Sequence, residues 1–155
     1  MYKNRLFIIK LQIMCCSACI IIGGCRFGTE KTELNELNKN EAKYYNGKGA
    51  GPVMNLSIEE DIDENMATEG MLLFNSKCTS CHSISFEKRI GPGMKGVISR
   101  RTPEWIMNMI LNPLEMTKKD SLSKELLLMY QVQMIPMGLN ENEARKILEY
   151  FRHIQ

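Results

Sequence analysis

The chain has 155 residues, of which 44% are apolar and 25% are charged, and its formal net charge at pH 7 is +2. This length fits one domain of ordinary size with flanking segments, and the composition excludes collagen-like and wholly disordered chains. The chain is acidic between residues 26 and 76 and basic from Lys77 onward, and nothing in this charge pattern indicates nucleic-acid binding.

The first 24 residues have the pattern of an export signal. Lys3, Arg5 and Lys10 precede an apolar run from Leu11 to Ile22. The run is shorter than the roughly 20 residues that a membrane span needs, and small residues follow it, as they do at cleavage sites. We therefore predict that residues 1–24 are a signal peptide and that the remaining protein is exported.

The end of this signal contains a candidate lipid anchor. Ile22-Gly23-Gly24-Cys25 resembles the lipobox of bacterial lipoproteins, in which cleavage before the cysteine leaves a lipidated thiol. Cys25 is therefore predicted to hold the protein on a bacterial membrane, with the rest of the chain in the periplasm. An ordinary signal peptide with a chance cysteine and an intact N-terminal span are the alternatives.

Residues 25–64 are predicted to be a flexible tether. They are mostly polar and charged, have a Gly-rich centre from Gly47 to Pro52, and show no sustained apolar periodicity. The folded domain is predicted to occupy residues 65–155.

The domain is predicted to be all-α, with about four helices. They begin near Asn65, at Thr102-Pro103, near Ser121 and after Asn140, where Glu143 completes a capping-box pattern. Asn112-Pro113 is expected to end the second helix. The apolar positions recur at three- or four-residue steps: Met66, Gly70, Phe74 and Cys78; Trp105, Ile106, Met109 and Ile110; Leu122, Leu126, Met129 and Tyr130; Ala144, Ile147, Leu148 and Phe151.

The strongest motif is Cys78-Thr79-Ser80-Cys81-His82, which matches the Cys-x-x-Cys-His sequence of c-type haem attachment. In this motif two thiols bond to the porphyrin, and the adjacent histidine binds iron. A thioredoxin-like dithiol would need a βαβ context, which the pattern lacks. A zinc site would need two further ligands, and His153 is the only other histidine. We therefore predict one covalent haem c at Cys78 and Cys81, with His82 as an iron ligand.

With these residues in place, positions from about 65 to 154 resemble a class I c-type cytochrome. The resemblance implies a small α-fold around one haem, preceded here by the signal and tether. It also implies that Gly70 and Phe74 pack against the last helix, through Leu148 and either Tyr150 or Phe151.

The resemblance also implies a second axial ligand and a support for the first. The Pro92 carbonyl, in Ile90-Gly91-Pro92-Gly93, is expected to accept a hydrogen bond from the second ring nitrogen of His82. Met134 is the expected sixth ligand because it lies five residues before Leu139, which precedes the last N-cap. Met137 is the alternative, because Ile135 separates Met134 from the following proline.

Further residues are predicted to surround the haem. Trp105 is expected to pack beside it, although a tryptophan on an apolar helix face is also commonly plain core. Arg100 and Arg101 are expected to neutralise the propionates, with ordinary solvated arginines as the alternative. A basic rim for docking is expected from five residues: Lys88, Arg89, Lys95, Lys118 and Lys119.

These features predict an electron-transfer protein rather than an enzyme, meeting its donor and acceptor proteins transiently. Residues 102–113 and 142–152 also resemble lipoprotein cytochromes that are encoded beside nitrous-oxide reductase. That resemblance implies electron delivery to a periplasmic reductase such as nitrous-oxide reductase, or to a terminal oxidase. The alternative is a haem c enzyme or a gas or redox sensor with an open distal site.

Overall fold

The computed structural model describes residues 47–155, which contain α-helices and no β-strand. The helices are α1 (Glu64–Lys77), α2 (Val97–Arg100), α3 (Pro103–Leu111), α4 (Pro113–Lys119), α5 (Ser121–Tyr130) and α6 (Glu141–His153). No helix in this part of the chain is long and apolar enough to cross a membrane. The predicted signal peptide, Cys25 and the first part of the predicted tether lie outside the described residues.

Local signals in the sequence set the helix starts. The Thr102 side chain accepts from the backbone N–H of Trp105 ahead of Pro103, the first residue of α3. Asn140 and Glu143 form the predicted capping box at α6, with both reciprocal hydrogen bonds present. The all-α class and the four main helices are therefore confirmed.

The structure adds two short helices to the predicted four. The first is α2, which follows Gly96. The second is α4, which begins at the point where we predicted only the end of the preceding helix. Asn112 does cap the C-terminus of α3, but Pro113 also occupies the first position of a new helix, where its missing N–H costs nothing.

Helices α1 and α6 cross closely at Gly70. A Cβ atom at this position would overlap the carbonyl group of Lys146, so only glycine allows the approach. Beside the crossing, the ring of buried Phe74 lies 5.8 Å from that of Tyr150 and 5.6 Å from that of Phe151, measured between centroids. The predicted packing of the first helix against the last is therefore confirmed, and it involves both aromatic residues.

The predicted apolar face of α5 is only partly a core face. Only Ser123 is buried in this helix, and the Met129 side chain is 67% exposed. Leu122 and Leu126 are partly buried and pack against the core, and Leu126 and Tyr130 also line a cavity. The helix was predicted correctly, and its predicted apolar side chains are divided between the edge of the core, the cavity and the surface.

Residues 47–63, here called the leading segment, differ from the predicted flexible tether. Ala50 and Val53 are buried in the main core, and the buried Asn108 side chain bonds Val53 N–H, Val53 C=O and Lys48 C=O at 2.8 to 2.9 Å. The backbone N–H of Ala50 points at the sulfur of Met116, 3.0 Å away. The polar composition concealed this packing because the segment is attached by a few scattered apolar side chains, with Leu56 and Ile58 packed against the core beside the two buried residues, and by hydrogen bonds to its backbone.

A buried carboxylate joins the end of the leading segment to α6. Glu149 is fully buried and contacts the guanidinium groups of Arg145 and Arg152, and it accepts from Asp63 N–H at 3.0 Å. Burial alone raises the pKa of Glu149, but hydrogen bonds from the two arginines outweigh it and hold the pKa below its usual range. Glu149 therefore stays charged at neutral pH.

Candidate cofactor site

The Cys-x-x-Cys-His motif forms a tight turn that continues directly from α1. Cys78 caps the helix, with its N–H donating to the Phe74 carbonyl at 2.8 Å. The Cys78 carbonyl then accepts from the N–H groups of Cys81 at 3.0 Å and His82 at 2.9 Å. Because Phe74 is fixed in the core, this turn has a rigid base, and the two cysteines are not joined in a disulfide.

The His82 ring is held on one side by the backbone of the following loop. Its Nδ1 lies 2.9 Å from the Pro92 carbonyl oxygen, the contact that the sequence analysis expected. A carbonyl only accepts, so Nδ1 carries the proton in this bond and Nε2 keeps a free lone pair. This is the tautomer that a metal-binding histidine needs.

Gly91 packs directly against the same ring. A Cβ atom added at Gly91 would stand 2.5 Å from His82 Cε1 and 2.9 Å from Nδ1. The Gly91 N–H also donates to the Cys81 carbonyl at 2.8 Å. The backbone of the loop therefore holds the His82 ring in place, and there is no room for a side chain at position 91.

Two arginines hold this loop in place. Arg89 Nη1 donates to the Thr79 carbonyl inside the motif at 2.8 Å. Arg100 donates to the carbonyls of Gly93 at 3.1 Å and Lys95 at 2.7 Å.

Arg101 lies with its guanidinium 5.3 Å from the centroid of the Trp105 ring. Arg100 and Arg101 both border the cavity described next, and their pairing with propionates stays a prediction.

A cavity of about 430 Å³ opens beside the motif. It is bordered by both cysteines and His82 at one side and by Met134 and Met137 elsewhere. Its walls are otherwise largely apolar and come from all six helices and the loops between them, including Val97, Ile106, Ile110, Leu126, Ile147 and Phe151. Such a volume and lining are typical of a site for a large apolar ligand.

The Cys78 thiol is partly buried at this cavity. Burial, and to a lesser extent the nearby Cys81, raise the pKa of Cys78 to about 11. Without attached haem, the sulfur is therefore a neutral thiol at neutral pH. It does not have the depressed pKa of a reactive dithiol in a redox enzyme.

Trp105 lies in the cavity wall and is only 5% exposed. Its indole N–H donates to Asp120 Oδ1 at 3.0 Å, and the same oxygen accepts from the N–H and hydroxyl of Ser123. The indole is thus fixed in orientation by a buried carboxylate. Both the expected position beside a haem and a core role are compatible with this placement.

Met134 and Met137 both border the cavity and are both partly buried. They lie in the segment between α5 and α6, as the sequence analysis expected. Their position at the cavity does not by itself separate one from the other.

The profile of the Cytochrome c family matches residues 67–155. The chain belongs to the cytochrome c family. Cytochrome c from Rhodothermus marinus is 43% identical, with a TM-score of 0.65 over 67% of this chain and 89% of that one. An engineered form from the same organism, Rma TDE, is 39% identical with a TM-score of 0.66, over 74% of this chain and 96% of that one.

A third similar structure is that engineered cytochrome c bound to a carbene intermediate, at 40% identity, a TM-score of 0.64 and the same coverage. A search of curated protein sequences found no significant match. The family and the solved structures establish a class I monohaem c-type cytochrome.

The cofactor of this cytochrome is haem c, bound covalently through the cysteine pair. The residues present fit haem c. Two cysteines lie on one turn, the His82 ring is oriented by the hydrogen bond from Nδ1 to the Pro92 carbonyl, and the cavity beside them is apolar. When bound, haem supplies an iron that exchanges one electron. The cytochrome is accordingly a haem-based electron carrier.

Three residues of the site were missed by the sequence analysis. Gly91 was noted only as part of a loop, although a glycine beside the expected Pro92 is a signal for close approach to the ring. Thr117 and Gln133, described below, lie on α4 and beside Met134, and no motif marks either.

Proposed function

We propose that this cytochrome is a membrane-anchored one-electron carrier with His82 and Met134 as its axial iron ligands. The observation that carries the proposal is the hydrogen bond from His82 Nδ1 to the Pro92 carbonyl at the edge of the cavity. It leaves Nε2 as the ligating atom and raises its basicity. A thioether on the opposite side favours ferrous iron, raises the reduction potential and occupies the position that a small ligand would take.

Met134 is proposed over Met137 on two grounds. Its distance from Leu139 matches that of the ligand in similar domains, and its backbone carbonyl is held by the adjacent Gln133 side chain at 2.9 Å. A ligand with a fixed backbone loses less conformational freedom when it binds iron. Met137 is followed by Gly138, which has a φ of 67° and open space on the side where a Cβ atom would stand.

The ligands are tested by absorption spectra of the purified protein, oxidised and reduced. We expect a low-spin spectrum with the weak near-infrared band of methionine sulfur on ferric haem c. The band should be lost in Met134→Ala and kept in Met137→Ala. A high-spin spectrum that shifts with carbon monoxide or cyanide would instead support an enzyme or sensor with an open distal site.

The anchor is proposed at Cys25, after removal of residues 1–24, with the haem domain in the periplasm. The support is the lipobox-like sequence and the export signal before it. Wild-type protein should sediment with membranes and carry the mass of a lipidated cysteine. Cys25→Ser should lose the lipid mass, and an unchanged distribution and mass would contradict the anchor.

The proposed partners are a donor and an acceptor in the periplasm, the acceptor being nitrous-oxide reductase, a similar reductase or a terminal oxidase. Electrostatic steering is expected to be modest, because Lys118 and Lys119 both pair with Glu115, at 3.3 and 2.7 Å. Lys88 lies over the Tyr130 ring at 4.8 Å and stays available to an acidic partner. Electron-transfer rates with purified candidates should fall as salt rises, and rates independent of salt would exclude the charge contribution.

A further inference from the structure

The segment that carries both methionines has almost no backbone support. Residues 132–139 lie between α5 and α6 and form no backbone–backbone hydrogen bond with any residue that the structure describes. Gln131, with a φ of 55°, turns the chain out of α5, and Gly138, with a φ of 67°, precedes α6. Within the segment Ile135 is 64% exposed. The position of residues 132–139 must therefore depend on contacts made by side chains.

Leu139, at the end of the segment, packs against the core, and the side chain of Gln133 connects the part of the segment that contains Met134 to a helix. Its Nε2 donates to the Met134 carbonyl at 2.9 Å, and its Oε1 accepts from the Thr117 hydroxyl on α4 at 2.9 Å. The Met134 carbonyl can only accept, so the amide nitrogen must face it and the amide oxygen must face Thr117. Both ends of the carboxamide are thereby assigned.

The Thr117 hydroxyl has a single proton and three acceptors within reach. Besides Gln133, the carbonyls of Pro113 and Leu114 lie 3.1 Å away within its own helix. Only the proton given to Gln133 links α4 to the segment, and it makes the shortest of the three contacts. The hydrogen bond from Thr117 to Gln133 therefore does not serve α4 itself, and it attaches the segment to that helix.

We propose that Thr117 and Gln133 are positioning residues that hold the Met134 backbone where its thioether reaches the iron. This inference rests on the proposed ligation by Met134. The bridge restricts a segment that would otherwise sample many conformations, so it raises the fraction of molecules in which the sulfur is bound. Breaking it should not alter the fold, because both residues are only partly buried and lie outside the core cluster.

The experiment measures how readily imidazole displaces the methionine from the ferric protein, followed through the near-infrared band. Thr117→Val removes the donor at nearly constant volume, and Gln133→Glu keeps the acceptor for Thr117 but places an oxygen against the Met134 carbonyl. A net hydrogen bond is worth enough for each change to raise the apparent imidazole affinity by about three- to tenfold. Thr117→Ser, which keeps the hydroxyl, should stay within twofold of wild type.

A double variant separates a bridge from two independent effects. If both residues act through one bridge, Thr117→Val with Gln133→Glu should match the larger single effect rather than the product of the two. Thr68→Val is the matched control, because the Thr68 hydroxyl bonds the Glu64 carbonyl at 2.8 Å on an exposed turn of α1, away from the cavity. It should leave imidazole affinity unchanged.

The outcomes distinguish this inference from the proposed function. A wild-type spectrum without the methionine band, or a band that depends on Met137 alone, would overturn both the ligation by Met134 and the bridge. A normal band that is lost in Met134→Ala, with imidazole affinities of the bridge variants within twofold of wild type, would overturn the bridge alone. Raised affinities that multiply in the double variant would also overturn it.

Discussion

Replacing Gly91 by alanine would test how tightly the His82 ring is held. The backbone of Gly91 is outside the left-handed region, so alanine adds no backbone strain. The new methyl group would stand 2.5 Å from Cε1, 2.9 Å from Nδ1 and 3.1 Å from Nε2 of the ring. All three distances are well inside van der Waals contact, so the effect of this substitution is a steric one at the histidine.

The size of the effect follows from these distances. Carbon atoms pack at about 3.5 to 4.0 Å, so the ring or the loop must retreat by roughly 1 Å. That movement lengthens the 2.9 Å bond from Nδ1 to the Pro92 carbonyl beyond the hydrogen-bonding range. Overpacking of this kind costs about 1 to 3 kcal/mol of stability, and loss of a histidine's outer partner weakens metal binding about 10- to 100-fold.

The assay combines denaturant unfolding with the absorption spectrum of the ferric protein. We expect Gly91→Ala to lose stability and to gain a high-spin fraction as the iron–histidine bond weakens. Gly47→Ala is the control: Gly47 has a φ of 76°, so alanine there costs about 1 to 2 kcal/mol through the backbone alone. Gly91→Ala with wild-type stability and an unchanged spectrum would refute the placement of the ring.

Two further predictions concern the attachment of the leading segment. Glu149→Gln should lower stability by about 3 kcal/mol at neutral pH, because Arg145 and Arg152 lose their buried partner. The pKa of Glu149 is lowered in the folded protein, so its contribution is present at neutral pH and lost as the pH falls through that pKa. In the acid range, the unfolding free energy of the variant should therefore change less with pH than that of the wild-type protein. The same pH dependence in both proteins would contradict this prediction. Asn108→Ala should cost about 3 kcal/mol by leaving buried backbone groups unpaired, with faster hydrogen exchange at Val53, and protection equal to wild type would contradict the packing.

The sequence predicted those parts of the fold that depend on local signals. Helix starts at Thr102 and Asn140 are marked by capping side chains within three residues, so their hydrogen bonds could be expected from spacing alone. The motif at Cys78 fixes its own geometry in the same way, since one turn of chain contains all its atoms. The Gly70 crossing was predicted from family resemblance, and the absence of a Cβ explains it physically.

Contacts between distant segments could not be predicted in this way. Asn108 and Val53 are 55 residues apart, and neither carries a pattern that indicates the other. The bridge from Thr117 to Gln133 has the same character, because it joins a helix to an irregular segment through one amide. Asn112-Pro113 was ambiguous for another reason: proline both ends one helix and begins the next.

The packing of the leading segment also limits where an anchored haem domain can travel. If Cys25 is the anchor, the stretch of chain that separates it from the domain ends no later than Gly47, instead of at residue 65. A fully extended chain spans at most about 3.6 Å per residue, which sets a ceiling of roughly 80 Å in place of roughly 140 Å. With that anchor, a donor or acceptor would have to present its redox centre within that height plus the thickness of the haem domain, and proteins whose redox centres stand farther out would be excluded as direct partners.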